Sequence, residues 1–549
     1  MGAALAALTL ICSACSSASS PSSAGHGTAG LVPSLTIMPS PNGPFSDNFN
    51  PYSSTSQAAG DGAISLIYEP LLQFNLLKTN AITPWLATSY SFSNGGRTLT
   101  FDIRKGVKFS DGTPMTSADV AFTYKMIISH PAINTTGLDP TSVTAPTPTT
   151  VVLNFKKPEY TNLINYAQIA VVPEHIWKSV NPVTFTNTKP VGTGPYTLAS
   201  FSSQSFTLKR NPGYWQRGEP KIEQLVYPGY DSNSAALSNF TAADWSGLFE
   251  PNVQKLYVDP AAPGSHHYWF APIASNVLLP NLDKYPLNLV DVRKAISMAM
   301  NRQTINKDGE DGYEPAVSNL AGIIPTQANE LDTSIPGMQP TYNVGRAKSL
   351  LAAAGLKKGP GGFLESPTGK PIHLTLVVPS AFTDWVADTT PISQELRAVG
   401  LNVTVDSVAV STWVSDMATG NFDLTINGGS AGPTAYQEYN NWLNSAFSAP
   451  LGKTAASNYE RFNSPAADAD LAAYASTDNP AQQAKALDKL EAIMVGQLPV
   501  IPILYGVAWD EYSTASVTGW PDAANPYEAA APYLRPGDEV IILHLRPAK

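Results

Sequence analysis

The chain has 549 residues, 43% hydrophobic and 14% charged, with a formal net charge of −10. Such a composition supplies core material for several globular domains, and its acidic balance lacks the basic footprint of a nucleic-acid binder. Both cysteines, Cys12 and Cys15, stand at the start, so disulfides, thiolate catalysis and cysteine-ligated metal are excluded for everything after them.

In chain order, residues 2–12 (GAALAALTLIC) form a short apolar run that suits the h-region of a signal peptide. After Cys12-Ser13-Ala14-Cys15 comes SSASSPSSAGHGTAG, a flexible tether. The segment resembles a bacterial lipoprotein signal, although Cys12 stands where Leu is usual. The resemblance implies a signal over 1–15 with lipidation at Cys15, and a tether over 16–34. The body is then exported to the outer face of the cytoplasmic membrane and touches it through the lipid alone. Past residue 15 no apolar run reaches the roughly 18 residues that cross a bilayer.

From about residue 35, short β-type runs alternate with helical patterns. LTFDI (99–103), VVLNF (151–155), FTLK (206–209), IHLTLVV (372–378) and NVTVDSVAV (402–410) carry the β-branched and aromatic content of strands. Asp111-Gly112 marks a tight turn. Thr116, with Asp119 three residues on, then caps a helix that Pro131 stops. Residues 291–305 place Val292, Ala295, Ile296 and Ala299 on one helical face. Asn343 caps a helix that Gly355 ends, and another opens at Pro480 and runs to 496.

Gly428-Gly429-Ser430-Ala431-Gly432 matches the nucleophile turn G-x-S-x-G. That turn needs a strand, a sharp bend and an immediate helix. Here Pro433-Thr434 follows, no helix start is evident before Tyr439, and the only later histidine, His544, sits in a strand-like VIILHLR. The stretch reads as a glycine loop beside a ligand, and no catalytic residue is assigned. The seven histidines show no metal-ligand spacing, so no metal or cofactor is expected. Aromatic rings that could stack on sugar faces are Trp245, Trp413, Trp442, Trp509, Tyr436 and Phe45. Asp244, Asn427, Asn441 and the neighbouring Asn440 could serve the ring hydroxyls. The loop 427–442 is expected to form one wall of a ligand pocket, with Trp245 on or near the facing wall.

PWLATSYSFSNGGRTLTFDIRKGVKFSDGTPMTSADVAFTYKMI (84–127) resembles the signature region of the family 5 extracellular solute-binding proteins, the peptide, nickel and oligosaccharide receptors of ABC importers. GTGPY (192–196), RNPGYW (210–215), VRKAISMAMNRQTI, NVGRAKSLLAAAG and LPVIPILYG (498–506) follow in that family's order. The resemblance implies a mixed α/β protein of two lobes joined by a hinge (the type II, cluster C periplasmic-binding fold) with an extra domain. Lobe I is expected over 35–75, 190–285 and 510–549, the extra domain over 76–189 and lobe II over 286–509. DNFNPYSSTS (47–56, containing Asn50), ADWSGLFEPNVQKLYVD (243–259) and GWPDAANPYEAAAPY (519–533) look closest to the clade that binds cello-oligosaccharides. The peptide-binding clades carry an Asp after the strand that FDLTI matches. Here Asn427-Gly428-Gly429 follows, and no carboxylate occurs between Asp423 and Glu438, which counts against capture of a peptide ammonium. The expected protein is a monomeric, non-enzymatic receptor that captures an oligosaccharide by hinge closure and delivers it to a permease. An oligopeptide receptor is the alternative, and a secreted hydrolase using Ser430 the alternative of a different class.

Overall fold

A computed structural model describes residues 30–41, 43–429 and 432–549. Cys12, Cys15 and Ser430 lie outside the described residues. Two large sheets organise the molecule. The first has seven strands in the order His266–Tyr268, Glu511–Ser513, Trp245–Ser246, Val32–Met38, Ile222–Pro228, Ser205–Arg210 and Tyr196–Ser202. The second has five: Asn402–Val408, His373–Pro379, Leu424–Gly428, Ala271–Pro280 and Ile501–Ala508. A four-stranded antiparallel sheet, Ala87–Ser93, Thr98–Ile103, Thr150–Asn154 and Ser142–Thr147, forms the extra domain with the helix Ser117–Ser129.

The chain passes between the two large sheets twice, at 269–270 and 509–510, and the two crossings lie side by side. Ala271 pairs with Ala508, and Trp269 N donates to Asp510 O at 2.9 Å. Two short antiparallel connections of this kind make a hinge. Strand Ala271–Pro280 pairs wholly within the five-stranded sheet, so the first crossing falls at 269–270. The lobe boundary expected at 285 is corrected accordingly.

Strand periodicity explains how lobe II is built. Val277, Leu279 and Val377 pack on one side with Tyr439, Trp442 and Met494. Leu278, Leu376 and Val378 pack on the other with Ile296, Ile305 and Leu396. Successive side chains on a strand point to opposite faces, and here both faces are covered by helices. Lobe I and the extra domain share one continuous core, from Leu35 and Phe49 to Tyr124, Trp177 and Ile541.

Local signals set several helix ends. Thr116 and Asp119 close a capping box on Ser117–Ser129, and Asp111-Gly112 turns with Gly112 at φ 89°. Asn343 caps Val344–Ala353. Three expectations are corrected. The run 291–305 is two helices, Val290–Ala299 and Arg302–Gly309, because Asn301 leaves the helical region and caps the second through Gln303 N and Thr304 N. His544 ends a helix, Gly537–His544, rather than a strand. A helix does form after Pro433: Ala435–Leu443 starts at a Thr434/Gln437 capping box, with Gln437 Oε1 accepting from Thr434 Oγ1 at 2.6 Å. Proline before an N-cap does not oppose a helix that begins after it.

Candidate functional site

The helix Ala435–Leu443 faces the extra domain across a groove of about 810 Å³. Thr135, Thr136, Thr161, Asn162 and Asn165 line one side. Tyr436, Asn440, Asn441, Asn444 and Ser457 line the other. Capping at Thr434 fixes the helix start, and the 3.6-residue period brings Tyr436 and Asn440 to one face. Tyr436 stacks on Tyr474 with centroids 4.6 Å apart and planes 14° apart. Burial raises the Tyr436 hydroxyl above its usual range, against a hydrogen bond with the Thr161 side chain on the opposite wall. Burial also raises the Glu159 carboxyl, against a hydrogen bond from Asn162 and the nearby Lys157. Thr135, Thr136 and Asn165 also line a second cavity of about 410 Å³ with Tyr52, Gln168 and Tyr533. The two spaces therefore adjoin.

Few bonds close the groove. Gln437 Nε2 donates to Thr161 O at 3.4 Å, and Asn80 N to Pro433 O at 3.1 Å. Nearer the hinge, Val253 N donates to Tyr313 Oη at 2.8 Å and Asn252 N to Asp311 Oδ2 at 2.6 Å. Such small, polar contact between lobes permits relative motion.

Of the residues singled out in the sequence, Tyr436, Asn440 and Asn441 line this groove. Asn427, Asn441 and Trp442 line a smaller chamber beside it, and Trp442 is also a core residue packed against Gly322. Trp413 lies in the lobe II core, with its Nε1 donating to Thr425 Oγ1 at 2.9 Å. Trp509 joins Phe249, Phe270 and Tyr313 at the hinge, with ring centroids 4.8 to 6.2 Å from its own. Four further candidates, all in lobe I, also lie away from the groove. Trp245 is 1% exposed, and its Nε1 donates to Asp510 Oδ1 at 2.8 Å. Asp244 accepts from Thr36 N at 2.8 Å, joining two neighbouring strands. Phe45 packs on Phe206. Asn50 is fully buried and donates to Pro182 O and Phe185 O. The polar setting of Trp245 and Asp244 is thus satisfied within lobe I.

The sequence reading missed Asn162, Asn165, Thr135 and Thr136. These threonines and amides have no local periodicity or motif, and only folding brings them opposite Tyr436. A further correction concerns the loop after Leu424–Gly428. Glu438 returns on the helix to lie against Gly429, where a Cβ would overlap its carboxylate. A carboxylate therefore does stand beside the loop, although none occurs in sequence between Asp423 and Glu438. Six residues separate Gly428 from the helix start at Ala435, whereas a hydrolase elbow passes from strand to helix at once. Among the described residues, no three His, Cys, Asp or Glu side chains are grouped to hold a metal ion.

Residues 81–449 match the model of the bacterial extracellular solute-binding proteins, family 5 Middle. The nickel-binding periplasmic protein of Escherichia coli K12 is 25% identical over 66% of this chain and 70% of its own length. The glutathione-binding protein GsiB of Salmonella typhimurium is 25% identical over 78% of this chain and 82% of its own. A periplasmic oligopeptide-binding protein of Thermotoga maritima superposes with a TM-score of 0.85 at 26% identity, covering 94% of this chain and 99% of the other. Its mannohexaose-bound form gives 0.81. The two-lobed α/β fold accords with these matches, and the chain belongs to family 5 of the bacterial extracellular solute-binding proteins.

Proposed function

We propose that this solute receptor of an ABC importer captures an oligosaccharide, a β-linked glucan fragment, in the groove between the extra domain and the helix Ala435–Leu443. The observation that carries the reading is the chemistry of that groove: side-chain amides and hydroxyls on both walls beside the Tyr436 ring. Pyranose rings offer C–H faces to an aromatic ring and hydroxyls to amides. The mannohexaose-bound Thermotoga maritima structure supports the same ligand class. A ligand held by both walls stabilises the closed form by its differential affinity, and the permease then takes the load from that form. Cys15 carries the lipid that keeps the receptor, a monomer, at the outer face of the membrane. No bond in the ligand is made or broken.

The oligopeptide reading keeps one observation of its own, the Glu438 carboxylate beside Gly429. Titration of cellotetraose and of tri-alanine into the protein and its Tyr436→Ala, Asn441→Ala double variant tests the two. The proposal expects cellotetraose binding, weakened about tenfold or more by loss of the ring and the amide. Unchanged cellotetraose affinity in the double variant would remove the groove from the account.

A further inference from the structure

Beside the groove, lobe II holds a pocket of about 330 Å³. Asn441, Ala456 and Ser457 line both spaces, so the chamber adjoins the groove through that wall. Its polar lining is Asn427, Glu438, Asn441, Ser457, Asn458 and Glu460, with Leu279, Met417 and Trp442 behind. No Lys, Arg or His is among the described residues lining it.

Glu460 decides what the chamber can hold. It is 1% exposed, and its Oε1 has no hydrogen-bond partner among the described residues. Arg461, next in the chain, donates to Tyr459 O and, at 3.1 Å, to Ala418 O, and Asp283 lies in its field. Its charge lowers the Glu460 pKa less than burial raises it. Glu438, the other acid of the lining, lies against Gly429. A buried carboxyl with an open acceptor is costly unless a proton or a cation meets it. The lining contributes acids and amides but no cation of its own, and the neighbouring Arg461 offsets the burial of Glu460 only in part, so a cationic ligand group would complete the match.

We infer that this chamber is an ammonium subsite: it takes the primary amino group of a sugar unit in the bound oligosaccharide, with Glu460 as the anionic partner. The inference rests on the oligosaccharide reading and narrows it to chains that carry amino sugars. In the empty chamber burial disfavours the charged form of Glu460. An arriving ammonium favours the carboxylate, and the displaced proton leaves to solvent. Binding therefore releases a proton wherever the ligand amine is charged.

The test is calorimetry with three tetramers of the same β-1,4 linkage: glucosamine, N-acetylglucosamine and glucose. The glucosamine tetramer is expected to bind about tenfold or more tighter than cellotetraose, the size of a charge-assisted hydrogen bond. Its heat should change with the ionisation enthalpy of the buffer, as proton release requires. Glu460→Gln should remove the preference and the buffer dependence and leave cellotetraose affinity unchanged. Equal affinity for the glucosamine and glucose tetramers, or a preference that survives E460Q, overturns the inference and leaves the oligosaccharide reading intact. The buffer dependence is read on the unmodified protein, so a variant that fails to fold does not remove the test. If no tetramer binds, the oligosaccharide reading falls. Tri-alanine against its N-acetylated form then decides the chamber: binding lost on acetylation and in E460Q retains an ammonium subsite for peptides, and binding indifferent to both overturns it.

Discussion

Trp245→Phe separates a residue that holds the fold from one that holds a ligand. The indole is 1% exposed and donates to Asp510 Oδ1 at 2.8 Å, while Asp510 Oδ2 has no partner among the described residues. Phenylalanine retains part of the ring but removes the donor, leaving a buried carboxyl with neither oxygen served by this side chain. An unsatisfied buried acceptor costs about 1–3 kcal/mol. The smaller ring leaves a void against Trp520, whose centroid is 5.4 Å away, and that adds about 1 kcal/mol. The expected loss is about 2–4 kcal/mol, read as a lower midpoint in urea unfolding. Far-UV circular dichroism is the right probe, because tryptophan fluorescence would change with the substitution itself. Ligand affinity should stay within about twofold, since Trp245 lies away from the groove and distant sites add independently. An unchanged midpoint with a tenfold loss of affinity would refute the reasoning and return Trp245 to the pocket.

Two further outcomes follow from the same structure. Burial holds the carboxyls of Asp538 at about 7, Glu528 at about 7 and Glu511 at about 8 in the fold, above the ordinary value of about 4 for an unfolded chain. The folded state therefore binds more protons across that window. Its stability from these groups is full below about pH 4 and is lost as pH rises toward 8. Melting midpoints should fall between about pH 5 and 8.5, and Asp538→Asn should make the slope shallower; a rising midpoint would contradict the sign. Cys15→Ser should move the protein from the membrane fraction to the soluble exported fraction, and unchanged membrane association would remove the lipid anchor from the account.

What could be read in the sequence depended on how local its causes are. The Thr116/Asp119 capping box and the Asp111-Gly112 turn lie within a few residues of what they control. Thr434 and Gln437 gave an equally local signal, but Pro433 was weighed as a breaker although it lies outside the helix. Trp245 misled for a different reason. Its polar neighbours suggested a ligand, whereas Asp244 is satisfied by Thr36 N, 208 positions away, and the indole by Asp510, 265 positions away. The groove shows the same limit. Gln437 and Thr161 meet across it from 276 positions apart, and nothing in 135–165 marks those hydroxyls and amides as a ligand wall. Glu438 marks the far end of the carboxylate-free stretch that follows Asp423, yet one helical turn beyond the Thr434 cap brings it back against Gly429.

The central claim is that the groove receives a sugar chain, and a thermal-melt screen of residues 31–549 tests it most directly. Cello-, laminari-, xylo- and manno-oligosaccharides form one panel, and mixed tri- to hexapeptides the other. A ligand at about 100 times its dissociation constant stabilises by about 2.7 kcal/mol, enough to move a melting midpoint. The account predicts a shift with one sugar series and none with the peptides. A shift with peptides alone would contradict it, and would make Glu438, beside Gly429, the first residue to examine as the ammonium partner.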